Sequence, residues 1–168
     1  MDTQVIPIEG LKAFVTLAAV VAGALLAMLF GVRRTKAERR WNAKYDAYQQ
    51  IFAALEDVRF WAAETIADIH FLPTIGEVSI QALGRKYYEA QRTLSSHVHV
   101  GRLIISAEAR ERLDEFVQEL WREEYRYRED SGEDDDHFAL LSDHAHKVQA
   151  LVEEHAPIIE NAARRDLR

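Results

Sequence analysis

Between Trp41 and Ile69 the chain reads WNAKYDAYQQIFAALEDVRFWAAETIADI, and this stretch decides the fold class. Trp41, Tyr45, Tyr48, Phe52, Leu55, Ala62, Ile66 and Ile69 recur at alternating steps of four and three, with Arg59 the one polar member of the series. Such a period puts them on one face of an α-helix as a packing seam. A second row, Ile51, Val58, Thr65 and Leu72, widens the stripe beyond a two-stranded coiled coil and predicts a helix touching several neighbours in a bundle. Neither Gly nor Pro occurs in the 41 residues between Gly31 and Pro73, so the helix runs unbroken until Pro73 and Gly76 end it.

Towards the C-terminus the pattern repeats. A second helix is expected from about Glu77 to His97, with Ile80, Leu83, Tyr87, Ala90 and Leu94 on its seam, and Val98 to Ile105 reads as a turn or short extended link. Ser106 is placed to cap a third helix, because its hydroxyl can accept a free N–H of the first turn while Glu108 and Glu111 suit the helix dipole. Ala109, Leu113, Phe116 and Leu120 form that helix's seam, with Val117 and Trp121 beside it. An acidic loop follows, with Glu129, Asp130, Glu133, Asp134, Asp135 and Asp136. The fourth helix carries Phe138, Leu141, Ala145, Val148, Val152 and Ile159, with a kink or restart expected at Pro157. Four helices with short connections make an antiparallel, up-down bundle, in which the fourth helix returns to the end where the first one enters.

Towards the N-terminus the same helix meets a different solvent. Residues 13–32, AFVTLAAVVAGALLAMLFGV, are twenty consecutive uncharged positions, and as a helix they rise about 30 Å, the thickness of the hydrocarbon layer. Ten of them are Leu, Val or Phe, which together favour insertion by about 3 to 6 kcal/mol. A cleaved signal peptide has a shorter apolar core and a basic start, whereas Asp2 and Glu9 here outnumber Lys12. Directly after the run come Arg33, Arg34, Lys36, Arg39, Arg40 and Lys44 against Glu38 alone, a collar that the positive-inside rule places in the cytoplasm against anionic headgroups. Ala19, Gly23, Ala27 and Gly31 fall four apart, giving one face where a second span can approach closely and self-associate. The expected organisation is a short extracytoplasmic segment at 1–12, a transmembrane helix at 13–32, a basic juxtamembrane helix at 33–44 and a cytoplasmic helical bundle at 45–168, in a bacterial inner membrane.

Composition narrows the chemistry. The 168 residues are 48% hydrophobic and 29% charged, enough to build a core, and with seven Gly and three Pro they lack the turns an all-β fold needs. No Cys is present, which excludes thiolate nucleophiles, disulfides and cysteine zinc sites. The net charge is -7, and from Tyr45 onward 14 basic residues face 25 acidic ones, so nucleic acid is not an expected partner. Seven His invite a metal, yet no Glu-x-x-His or His-Glu-x-x-His occurs; Asp143-x-x-His146, Asp134-x-x-His137 and His97-x-His99 are the nearest patterns, and His155 lies on the apolar rhythm. Phosphate-binding Gly-rich loops and Gly-x-Ser-x-Gly elbows are missing. No catalytic residue, metal or cofactor is assigned, and a non-enzymatic role is expected.

Trp41, Lys44, Ala47, Tyr48 and Ile51 spell W-x-x-K-x-x-A-Y-x-x-hydrophobic at the opening of the first cytoplasmic helix, and Ala163, Arg164, Arg165, Asp166 and Leu167 close the chain as A-R-R-D-L. In these two motifs and in its organisation the sequence resembles small bacterial single-pass inner-membrane proteins of uncharacterised role. The resemblance implies a membrane-tethered helical bundle and brings no catalytic residue with it. The expected function is an interaction or scaffold module that places a cytoplasmic protein partner, or its own oligomer, at the inner membrane. Two alternatives are a metal-dependent bundle enzyme using His and Asp or Glu, and an oligomerising sensor or effector of a stress or phage-response pathway.

Overall fold

The computed structural model describes the backbone at residues 8–71, 77–131 and 137–168, and the side-chain surroundings there except at 8–27, 29–34, 70–71, 77–80, 102 and 137. The described residues form four α-helices and no strand: α1 Ile8–Phe71, α2 Glu77–Val100, α3 Ala107–Asp130 and α4 His137–Asp166, with a 3-10 turn at Gly101–Leu103. The chain divides into two compact units, Met1–Asn42 and Ala43–Arg168. Among the described residues no helix is long and apolar enough to cross a membrane. Apart from Met28, the side chains of the expected span at 13–32, with its Ala19, Gly23, Ala27 and Gly31 face, lie outside the described residues, as do those of Arg33 and Arg34.

The second unit is an antiparallel bundle, and its cross-helix pairs fix the direction of each element. Gln50 meets His97 and Trp61 stacks on Tyr87, so α2 runs against α1. Tyr87 reaches Glu124 and Ser95 reaches Trp121, so α3 runs against α2. Glu119 meets His155 and Glu124 meets His144, so α4 runs against α3. Tyr48 bonds Asp166 while Trp61 touches His144, and α4 closes the ring onto α1.

The core is what the periodicity demands, shifted along α1. Tyr48, Ile51, Leu55, Val58 and Ala62 are buried, so the two expected rows share the interior. Trp41 and Tyr45, placed on the seam by their spacing, are instead exposed at 51% and 41%. The physical reason is that α4 ends at Asp166, level with Lys44 and Tyr48, and the packed stripe begins where that neighbour does. On α3 the expected seam of Ala109, Leu113, Phe116 and Leu120 is fully buried, with Val117 beside it and Trp121 outside. Truncating a side chain such as Leu113 there removes about 2 to 5 kcal/mol.

Four local expectations are corrected. Of the expected turn or extended link from Val98 to Ile105, the turn is present at Gly101–Leu103, where the Gly101 carbonyl accepts the N–H groups of Ile104 and Ile105, both at 2.8 Å, but it starts later than expected, because α2 continues to Val100 as Val98, four residues beyond Leu94, packs into the core. Glu129 and Asp130 belong to the last turn of α3 rather than to a loop, and residues 132–136 of the expected acidic loop lie outside the described residues. Pro157 does not end or restart α4. Its ring denies the Glu153 carbonyl a donor, but Val152, Ile159, Ala162 and Ala163 are buried on both sides of it and hold the helix together. Phe138 is exposed at 70%, so the packed face of α4 starts later than expected, at Leu141 and His144. The expected cap of α3 is present, with the Ala109 N–H donating to Ser106 Oγ at 3.2 Å.

Candidate functional site

Two polar centres interrupt the apolar interior, and both are built by helix ends or helix faces converging. The first lies where α1 enters the second unit. Asp166, in the last turn of α4, takes Lys44 Nζ at 2.9 Å on Oδ1, and on Oδ2 the Tyr48 hydroxyl at 2.7 Å and the Ser106 N–H at 2.9 Å. One carboxylate thus ties α1, the α3 cap and α4 together, and Arg165 reinforces the tie by pairing with Glu108. Burial alone would raise the Asp166 pKa, but the hydrogen bonds from Lys44, Tyr48 and Ser106 outweigh it and hold the carboxyl below its usual value. Burial, reinforced by that carboxylate, pushes the Tyr48 hydroxyl well above the phenol range, so it stays a donor.

The second centre lies farther along the bundle, around Glu124 of α3. Its Oε1 accepts from Arg128 Nε at 2.9 Å and from the Tyr88 hydroxyl at 3.3 Å, while Oε2 takes the Tyr87 hydroxyl at 3.4 Å and faces His144 Nε2 at 3.5 Å. The imidazole of His144 is sandwiched: Tyr127 stacks on it with centroids 4.6 Å apart, and Trp61 meets it edge-on at 5.5 Å. Glu124 and His144 are each 3% exposed. Burial pushes the Glu124 carboxyl up, but hydrogen bonding and charge from His144 and Arg128 prevail, and its pKa lies below the ordinary value. Tyr87 is raised far above the phenol range by burial and by the Glu124 charge. Beside this centre, Gln91 is buried with neither amide atom in a hydrogen bond, and His144 Nδ1 is likewise unpartnered.

The Glu124 carboxylate draws side chains of α2, α3 and α4 to one point and so fixes the register of three helices. The open groove between α3 and α4 is lined by Glu119, Arg122, Glu123, Arg126, Lys147 and Glu154, together with Ala150 and Leu151, and not by Glu124 or His144. A reacting group in that groove would meet charged surface, not the buried pair.

The histidines do not gather. His97 bonds Gln50 at 3.2 Å while His99 is exposed; burial lowers the His97 pKa. His146 turns its Nδ1 to the Ser142 carbonyl of its own helix, and its expected companion Asp143 pairs with Lys147 at 2.6 Å. His155 is held by Glu119 at 3.1 Å. Among the described residues no three His, Asp or Glu side chains converge as metal ligands. Of the expected basic collar, Lys36, Arg39 and Arg40 are exposed on α1, whereas Lys44 is engaged by Asp166 inside the bundle.

Sequence reasoning missed Gln91, Glu124 and His144 as interior residues. A signal was present for two of them: Glu124 falls four residues after Leu120, and Gln91 four after Tyr87, each continuing its helix's apolar rhythm with a polar side chain. His144 adjoins Ala145 on the α4 seam.

Comparison of the chain with protein-family models, with curated proteins and with solved structures finds no match in any of the three.

Proposed function

We propose that the chain is a membrane-anchored helical-bundle interaction protein, which places a cytoplasmic partner or its own oligomer at a bacterial inner membrane. The observation that carries this reading is the run of twenty uncharged residues at 13–32, followed at once by Arg33, Arg34, Lys36, Arg39 and Arg40 and set within α1, which runs from Ile8 to Phe71. A soluble helix of that length without a polar face has no stable place on a small protein, while a lipid bilayer with anionic headgroups suits both the apolar run and the basic flank. The N-terminus then lies outside and the bundle inside. The interior is in keeping with a binding role: the buried Glu124 and His144 pair brace the helices on which an outer binding surface would sit.

Proximity labelling from the bundle in the full chain, repeated with residues 13–32 deleted, tests this reading. The expected result is a set of membrane-adjacent neighbours that disappears with the deletion; an unchanged set contradicts it.

A further inference from the structure

The link between α2 and α3 is a braced tip with two apolar side chains turned outward. Val98 and Ile105 are buried in the core on either side of it, while Val100 and Leu103 are exposed at 60% and 86%. Leu103 is the most exposed large apolar side chain among the described residues. The Gly101 carbonyl accepts both the Ile104 and the Ile105 N–H, and a side chain at Gly101 would crowd Ile105, whose Cδ1 would stand 3.2 Å from the added carbon. Apolar side chains held out on such a tip cost solvation free energy for as long as they face water.

This tip lies at the end of the bundle into which the chain enters. Ser106, three residues beyond Leu103, and Lys44 both donate to Asp166, and His97 reaches Gln50 of α1. Residues 90–107 are also the longest run without Asp or Glu from Ala43 onward, in a part of the chain that is acidic overall. Of the acids around this end, Asp166 is paired with Lys44, Glu108 with Arg165 and Glu160 with Arg164. Asp46 and Glu111 are matched in number by Arg110 and Arg168, and Arg102 within the tip leaves one positive charge over. The far end is the reverse: α3 closes on Glu129 and Asp130, and the sequence goes on to Glu133, Asp134, Asp135 and Asp136.

We propose that the α2–α3 link is a second contact with the bilayer, in which Val100 and Leu103 dip into the headgroup layer of an anionic membrane. The proposal rests on the anchoring reading and adds to it a surface of the bundle itself. Residues 33–43 belong to α1 and rise about 17 Å. The headgroup layer is only about 5 to 8 Å deep on each side, so the link meets lipid when α1 inclines. Lys36 and Arg40 stand eleven residues, about three turns, before Ala47 and Ile51, which are buried against the other helices. The side of α1 that seeks anionic phosphates is therefore the side from which the bundle extends, and lowering the one lowers the link. Two apolar side chains are too few for the core of a protein interface, which takes about 800 Å² from each partner. They suffice at a lipid surface, because the span already holds the bundle at high local concentration there.

The chain has no Cys, so one introduced at the tip reports on it alone. The test uses Leu103→Cys in the full chain, labelled with the polarity-sensitive nitrobenzoxadiazole fluorophore and reconstituted into vesicles of phosphatidylethanolamine and phosphatidylglycerol. Its emission is expected to move to shorter wavelength and to fall by at least half when spin-labelled lipid is included. The same label at Asp130→Cys, about 35 Å away at the far end of α3, is expected to do neither. Adding Val100→Glu, which alters only an exposed side chain, is expected to reduce the quenching at position 103 at least twofold. A label at 103 as wet and unquenched as at 130, in protein that stays with the vesicles through an alkaline wash, overturns the proposal and leaves the anchoring reading intact. A blue-shifted label that the lipid-borne quencher does not reach also overturns it, since protein then covers the tip. Protein lost from the vesicles in the wash overturns the anchoring reading and the proposal together.

Discussion

The Asp166 clasp and the Glu124 centre use the same residue types, a carboxylate with tyrosine hydroxyls and a basic side chain, and are satisfied to different degrees. At the clasp the donors lie at 2.7 to 2.9 Å and both oxygens are occupied. Around Glu124 the two tyrosine bonds stretch to 3.3 and 3.4 Å, and the neighbouring Gln91 amide and His144 Nδ1 have no partner. A buried polar group left unpaired costs free energy that a paired one does not. The clasp therefore fixes the end of the bundle nearest the rest of α1, and the interior beyond it is held less firmly.

The sharpest way to break this contrast is at Glu124. Glu124→Ala leaves His144 and the Tyr87 hydroxyl in the interior without their carboxylate and is expected to lower stability by about 3 kcal/mol, read from chemical denaturation followed by circular dichroism. Asp166→Asn keeps the shape of the clasp but removes its charge, and is expected to cost about 2 kcal/mol. A larger loss at Asp166 than at Glu124 would reverse the ranking.

Acid separates the variants as well. Both carboxyls titrate below their ordinary values in the folded chain, so each binds a proton less readily folded than unfolded. Their contribution is complete at neutral pH and is lost as the pH falls through about 4 towards the lower folded-state pKa. Asp166→Asn is expected to flatten the acid limb of stability against pH, leaving the part owed to Glu124. An acid limb as steep as in the parent chain would show that the clasp carries no charge linkage.

The smallest expected effect is a gain. Gln91→Leu exchanges an unpaired buried amide for an apolar side chain of similar size, and stability is expected to rise by about 1 kcal/mol. A fall would mean that the Gln91 amide is engaged in the working protein.

Much of this architecture is legible in the residues. The four-three spacing from Tyr48 to Ala62, the Ala109 to Leu120 seam and the Ser106 cap all follow from helix geometry acting on apolar side chains, and they appear where the pattern puts them. Boundaries are less legible because they depend on neighbours: α2 gains Val98 through packing, α4 bridges Pro157 because buried residues flank it, and Trp41 and Tyr45 lose their place because α4 ends at Asp166. The polar interior is the least legible. Periodicity identifies Gln91 and Glu124 as facing inward, but only the meeting of α2, α3 and α4 shows that Tyr87, Tyr88 and His144 gather on Glu124. Lys44 is a similar case: its sequence neighbours make it part of a basic collar, while its partner lies 122 residues away.

The central claim is that residues 13–32 lodge in lipid and hold the bundle on the cytoplasmic side. Alkaline extraction of membranes from cells expressing the full chain, with protease added to intact spheroplasts beforehand, addresses it directly. The account predicts a protein that stays in the lipid pellet with its C-terminal bundle protected from protease; release into the supernatant, or digestion of the bundle from outside, would contradict it.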